Sequence, residues 1–290
     1  MSTQIHQTNL ANPVQPAAAR TSFVPTGSGL SFTGLLRSES IKLWSLRSTY
    51  WTLSLVVVVS LGIAVLMSFA MSASTAGFDP TTGAPTAVDN TQMFVLVSTT
   101  GLGLGQLIVA VLGVLSISGE YSSGMIKSTL TAVPNRLPAL WAKVVVLFGF
   151  TFLVGLFSVV GSFLVAMPIL GAKDISASLF DTEVILPLLG NALFLALIAV
   201  FAIGIGTILR SSAGGIATVL GITMLLPVVL GILSSFVGWI GDILPYLFTV
   251  AGSTMITPNS MESWQAFLVV LAWVVVSLGT AALLLKRRDA

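Results

Sequence analysis

Few residues in this chain could carry chemistry, and their spacing rules out most of it. There is no cysteine, and His6, the sole histidine, lies in the N-terminal tail, so no thiolate metal site or cysteine nucleophile exists and no His-based metal site or Ser-His pair can be assembled in the membrane. Lys127-Ser128 has the ending of a phosphate-binding loop, but Ile126 stands where the glycine before the lysine is required. The chain therefore has no ATP-binding loop of its own. Gly101, Gly103 and Gly105 lack a third glycine at the dinucleotide-fingerprint position and follow no strand; their spacing suits close helix packing, as does the Ala213, Ala217, Gly221 stripe. Glu120 is the most pointed residue. Read as the first residue of a short cytoplasmic helix, its plainest role is to stabilise the positive helix end. Most Ser and Thr residues in apolar stretches bond back to their own helix. Gln106 and Asn191 do so less completely, which makes them candidates for interhelical bonds or a substrate path.

The elements that must position these groups are apolar. Six stretches, about 51–71, 93–117, 144–170, 187–209, 213–236 and 264–285, hold no Asp, Glu, Lys, Arg or His. Each matches the ~20 residues needed to cross a ~30 Å hydrocarbon core. With 55% hydrophobic and 8% charged residues and a mean hydropathy of +1.02, the chain reads as an all-α membrane protein of six transmembrane helices.

Threading the first stretch outward places eleven of the twelve Lys and Arg residues on one side, with only Lys173 opposite. Seven acids (Asp79, Asp89, Asp174, Asp181, Glu183, Asp242 and Glu262) lie on the far side. By the positive-inside rule both termini are cytoplasmic. The cations sit at helix ends, where they face lipid headgroups, so the basic balance points to no nucleic acid. Spans without buried charge also argue against a proton-driven carrier and most intramembrane enzymes.

Residues 1–30 are rich in Pro, Ala, Ser, Thr and Gln and read as a disordered cytoplasmic tail without a signal-peptide core, so the first span is permanent. Residues 31–50 mix Leu35, Leu36, Leu43 and Trp44 with Arg37, Glu39, Lys42 and Arg47, an amphipathic interfacial helix with Ser31 as N-cap. Residues 51–290 form the six-helix domain. The 118–143 link is predicted to fold Glu120 to Ala132 into a short helix with Met125, Ile126 and Leu130 on one face, ending before Pro134. Arg210, Ser211 and Ser212 join the fourth and fifth spans in a tight hairpin. Between the fifth and sixth, 237–263 is too broken to span and too apolar for an open loop, which predicts a re-entrant or interfacial helical pair.

The 118–143 link resembles that of the ABC-2 type permeases, the membrane subunits of type-2 ABC exporters. That family carries Glu-Tyr-x-x-Gly-x-Ile, then Leu, Pro-x-Arg and a Lys opening the third span. Here these are Glu120, Tyr121, Gly124, Ile126, Leu130, Pro134, Arg136 and Lys143. The segment Glu39, Lys42, Leu46, Arg47 and Ser48 is similar to the family's connecting helix. The resemblance covers nearly the whole chain beyond the tail, which the family pattern does not require. It implies a multi-pass protein of the cytoplasmic membrane that pairs with a second copy of itself, surrounded by lipid. Each copy docks on a cytoplasmic ABC ATPase subunit through an ATPase-coupling helix of Glu120, Tyr121, Gly124, Met125, Ile126 and Leu130. ATP and Mg would be bound by that partner; this chain would hold no cofactor or metal and would not be an enzyme. The translocation path would follow the dimer interface near the first, second and fifth spans, with Gln106 and Thr218 as the candidate lining residues. Uncharged spans favour an amphipathic or apolar cargo. Two other readings compete: an ATP-independent secondary carrier or channel, which would need an ion-binding group in the spans, and a non-transporting anchor or sensor subunit.

Overall fold

The structure, a computed structural model, describes residues 31–73, 77–78, 85–86, 89–125, 136–257 and 261–287. These residues are helical apart from turns and one two-residue antiparallel pairing, β1 (Gly77–Phe78) with β2 (Pro85–Thr86). The tail 1–30 and residues 126–135 lie outside the described set, and with them Ile126 and Leu130.

The helices are α1 (Phe32–Ser45), α2 (Arg47–Ala73), α3 (Asn90–Ser122), α4 (Arg136–Gly171), α5 (Thr182–Leu209), α6 (Ser212–Leu220), α7 (Leu226–Ser234), α8 (Gly238–Ile243), α9 (Phe248–Ile256) and α10 (Ser263–Arg287). Six helices are long and apolar enough to cross a membrane: α2, α3, α4, α5, the continuous α6–α7 pair and α10. In hydrocarbon a backbone group without a partner costs several kcal/mol, so uninterrupted apolar runs are stable there only as helices. Polar caps set their ends. Ser31 accepts from the Gly34 N–H, Asp89 from Thr91 N–H and Ser211 from Gly214 N–H.

Two boundaries differ from the sequence expectation. The amphipathic helix ends at Ser45, because Leu46 is extended, and Arg47 to Tyr50 form the first turn of α2 instead. More consequentially, α3 does not stop with its apolar run but continues through Glu120 to Ser122. Gly124, at φ 72°, then adopts the left-handed conformation that commonly closes a helix. Glu120 thus sits at the negative end of a helix rather than opening one.

Lipid offers no hydrophobic drive for helix association, so close packing through small residues must hold the bundle together. Helix α5, the most buried span, supplies them: Ala192, Ala196, Ala199, Ala202 and Gly206 lie on faces met by α3, α4 and α10. A Cβ at Gly113 of α3 would stand 2.6 Å from the Ala199 carbonyl of α5, so these helices touch backbone to backbone. Gly101 of α3 meets the Ser60 backbone of α2 at the same distance. By contrast α2 and α6–α7 keep most of their apolar surface exposed.

Between α6 and α7 the helix widens into a π turn at Gly221–Leu225. Pro227 is the cause, since it has no N–H for the Thr223 carbonyl four residues back. The Thr249 hydroxyl of α9 donates to that carbonyl at 2.7 Å. Residues 238–256 form short helical pieces, α8, a 3₁₀ turn at Leu244–Tyr246, and α9. Phe248 of α9 is fully buried and stacks on Phe201 of α5 at 4.7 Å between ring centroids.

Candidate functional site

Helices α3 and α4, at 33 and 36 residues, are ~50 Å long at 1.5 Å per residue and overrun a ~30 Å hydrocarbon core. Their shared overhang, where α3 ends and α4 begins, is met by α1. Four charged side chains converge there. Lys143 Nζ donates to Glu39 Oε2 at 2.8 Å and to Glu120 Oε1 at 2.9 Å. Lys42 Nζ donates to Glu39 Oε1 at 2.6 Å and to Glu120 Oε1 at 3.2 Å. The result is a closed ring of alternating charge, net zero, contributed by α1, α3 and α4.

Three members of the ring are nearly out of solvent, with side chains 7% (Glu39), 11% (Glu120) and 10% (Lys143) exposed, while Lys42 is open at 33%. Burial alone would push the Glu39 carboxyl up, but the charge and hydrogen bond of Lys143, helped by Lys42, hold it below the ordinary carboxylate value. Burial likewise opposes a charged Lys42, yet the hydrogen bond to Glu39 and the charges of Glu120 and Glu39 raise it above the ordinary lysine value. Glu39 and Lys42 thus each favour the charged form of the other. The dipole of α3 disfavours an acid in its last turn; two lysines at bonding distance offset that.

The same turn of α3 reaches the other side of the bundle. Tyr121 lies beneath Arg210, whose Cζ is 5.0 Å from the ring centroid, a cation-π pairing. Arg210 ends α5 in the left-handed conformation, φ 53°, a strained place for a residue with a Cβ. The Ser212 hydroxyl, in the first turn of α6, lies 2.9 Å from that of Ser118. One helical turn, Ser118 to Tyr121, therefore ties α3 to α1, α4 and the α5–α6 hairpin, and the link of residues 123–135 hangs directly from it. A cavity of about 390 Å³ lies beside the ring, lined by Lys42, Ser45, Thr49, Leu112, Met125 and Lys143 among others. Met125 is half exposed.

The sequence-predicted site residues are thus divided. Glu120 and Tyr121 belong to the end of α3, Gly124 to its stop signal, and Met125 to the link beyond. Sequence reasoning did not group Glu39, Lys42 and Lys143 with Glu120. The usable signal was there: acids and lysines are scarce, and these four flank apolar runs that must end at one level.

Gln106 and Thr218 stand differently toward the larger cavity. Gln106 lines a second, larger cavity of about 1230 Å³ between α3, α5, α9 and α10, toward the opposite end of the bundle; Thr218, partly buried on α6, does not. Asn191 lines it too, donating its Nδ2 to the Thr99 carbonyl at 3.1 Å. Ser158, Thr223 and Thr280 bond back to their own helices, while Ser277 of α10 donates to the Phe201 carbonyl of α5.

No protein-family model matches this chain, and no curated protein is significantly similar to it.

Proposed function

We propose that this chain is the permease subunit of an ATP-driven ABC exporter of the ABC-2 type, set in the cytoplasmic membrane with both termini inside. The observation that carries the reading is the last turn of α3. It is bonded to α1, α4 and the α5–α6 hairpin at once, and it leads straight into the link whose Glu-Tyr-x-x-Gly pattern resembles the family's coupling segment. A partner ATPase pressing on that link would move one rigid turn, and α1, α4 and the α5–α6 hairpin would follow. This is the mechanical requirement of a transporter driven from outside its membrane domain. ATP and Mg would stay with the partner, and this chain would transport rather than catalyse.

The exposed apolar faces of α2 and α6–α7 support pairing with a second copy, and the buried aromatic face of α9 supports a re-entrant segment between the fifth and sixth spans. A secondary carrier is less well supported, because the buried charges gather at one end of the bundle and pair among themselves. Purification of the full chain from its native membrane in mild detergent, followed by identification of what accompanies it, tests the proposal. A stoichiometric subunit bearing a phosphate-binding loop is expected; its repeated absence would remove the proposal.

A further inference from the structure

The 1230 Å³ cavity has a chemistry of its own. Its charged lining residues are Asp89 and Glu183, and among the described residues no Lys, Arg or His lines it. Several of its hydroxyl protons are already committed. Thr99 and Thr100 donate to carbonyls one turn back, Thr249 to the Thr223 carbonyl at the π turn, and Ser253 to the Val250 carbonyl. What these four present to the cavity is oxygen lone pairs. The buried Asn191 behaves alike: its Nδ2 is spent on the Thr99 carbonyl, and among the described residues no donor reaches its Oδ1. The wall thus carries acceptors and carboxylates beside the amides of Gln92 and Gln106, which donate as well as accept. The remaining lining is mainly apolar and aromatic, including Phe194, Phe267 and Trp264.

An anion would meet like charge there and, among the described residues, no cation to offset it. A protonated amine would meet acceptors, two carboxylates and aromatic faces, which attract cations, and an apolar body would find room in a cavity of drug-ligand size or larger. We propose that this cavity binds amphipathic organic cations, an ammonium head on an aromatic or aliphatic body. The proposal deepens the transport reading by naming its cargo class, but binding to this cavity needs no ATPase.

The test uses the full chain in nanodiscs of neutral phosphatidylcholine, with empty nanodiscs subtracted, and three fluorescent probes that share one aromatic body: dansylcadaverine (cationic), dansylamide (neutral) and dansylglycine (anionic). Dansylcadaverine should bind most tightly. Asp89→Asn combined with Glu183→Gln should weaken it about tenfold while leaving dansylamide within about twofold. Asparagine can still cap α3, so the double variant should fold; the exposed Trp264→Ala, which removes an aromatic face, gives a second reading with the same expected direction. Equal or tighter binding of dansylglycine, no binding of any probe, or unchanged dansylcadaverine affinity in both variants would overturn the proposal. Those results would leave ATPase co-purification untouched, and loss of the ATPase would leave cation binding untouched.

Discussion

Glu120 gains its meaning from the residues around it. Alone at the C-terminal end of α3 it would be a poorly placed buried acid; with Lys143 and Lys42 at 2.9 and 3.2 Å it closes a neutral ring. Removing one member of a buried pair leaves an uncompensated charge, so Glu120→Gln should destabilise the purified protein by about 3 kcal/mol, and Lys143→Met by a similar amount. The double variant should be more stable than the sum of the two, with a coupling energy of about 1–3 kcal/mol in thermal melts; simple additivity would contradict the ring. The pH profile follows from signs. Glu39 is depressed, so its contribution is present above the ordinary value of 4.5 and is lost as pH falls through its lower folded value. Lys42 is raised, so its contribution is present below 10.5 and is lost as pH rises through its higher folded value. Thermal stability measured across pH should therefore be flat through neutrality, and Glu39→Gln should lower the plateau while shrinking the acid-side fall. The sequence singled out Glu120 but not its ring. Glu39 and Glu120 are 81 positions apart, and no periodicity relates them.

Single elements were legible in proportion to how locally their structure is determined. The apolar runs marked the spans because a ~20-residue uncharged stretch has few other stable solutions. The helix ends were less legible. Helix α3 runs past its apolar stretch to the glycine that can turn left-handed, and α4 begins at Arg136, so polar residues at both ends belong to long helices rather than to loops. The π turn was not anticipated, since it depends on Thr249 of a distant helix reaching the carbonyl that Pro227 leaves open. The glycine run shows what spacing does settle. Gly101 abuts the Ser60 backbone, whereas a Cβ at Gly103 would meet nothing within 4 Å. Gly101→Ala should therefore cost about 1–3 kcal/mol through overpacking. Gly103→Ala should be neutral or stabilising by up to about 1 kcal/mol, since alanine is the better helix former. Equal melting shifts for the two variants would mean that the α2–α3 contact is looser than described.

For the whole molecule, the charge asymmetry of the sequence and the packing of the structure address different questions. Composition indicates a multi-pass membrane protein, and the structure has six helices fit to cross. Orientation and partnership rest on arguments of another kind: the positive-inside count, and the convergence of α1, α3, α4 and the α5–α6 hairpin on one turn. That convergence could not be read from sequence, because it is assembled from residues spread between Glu39 and Ser212. On the proposed function, energy enters the bundle through the link that follows this turn. The absence of cysteine makes the claim directly testable, because Met125→Cys creates a unique, half-exposed thiol just beyond the glycine stop. In native membranes, a short thiol-directed photo-crosslinker on that cysteine should join the chain to an ATPase subunit carrying a phosphate-binding loop, and the yield should change when ATP is added. Crosslinks only to lipid or within the chain, in membranes where the protein is active, would contradict the claim.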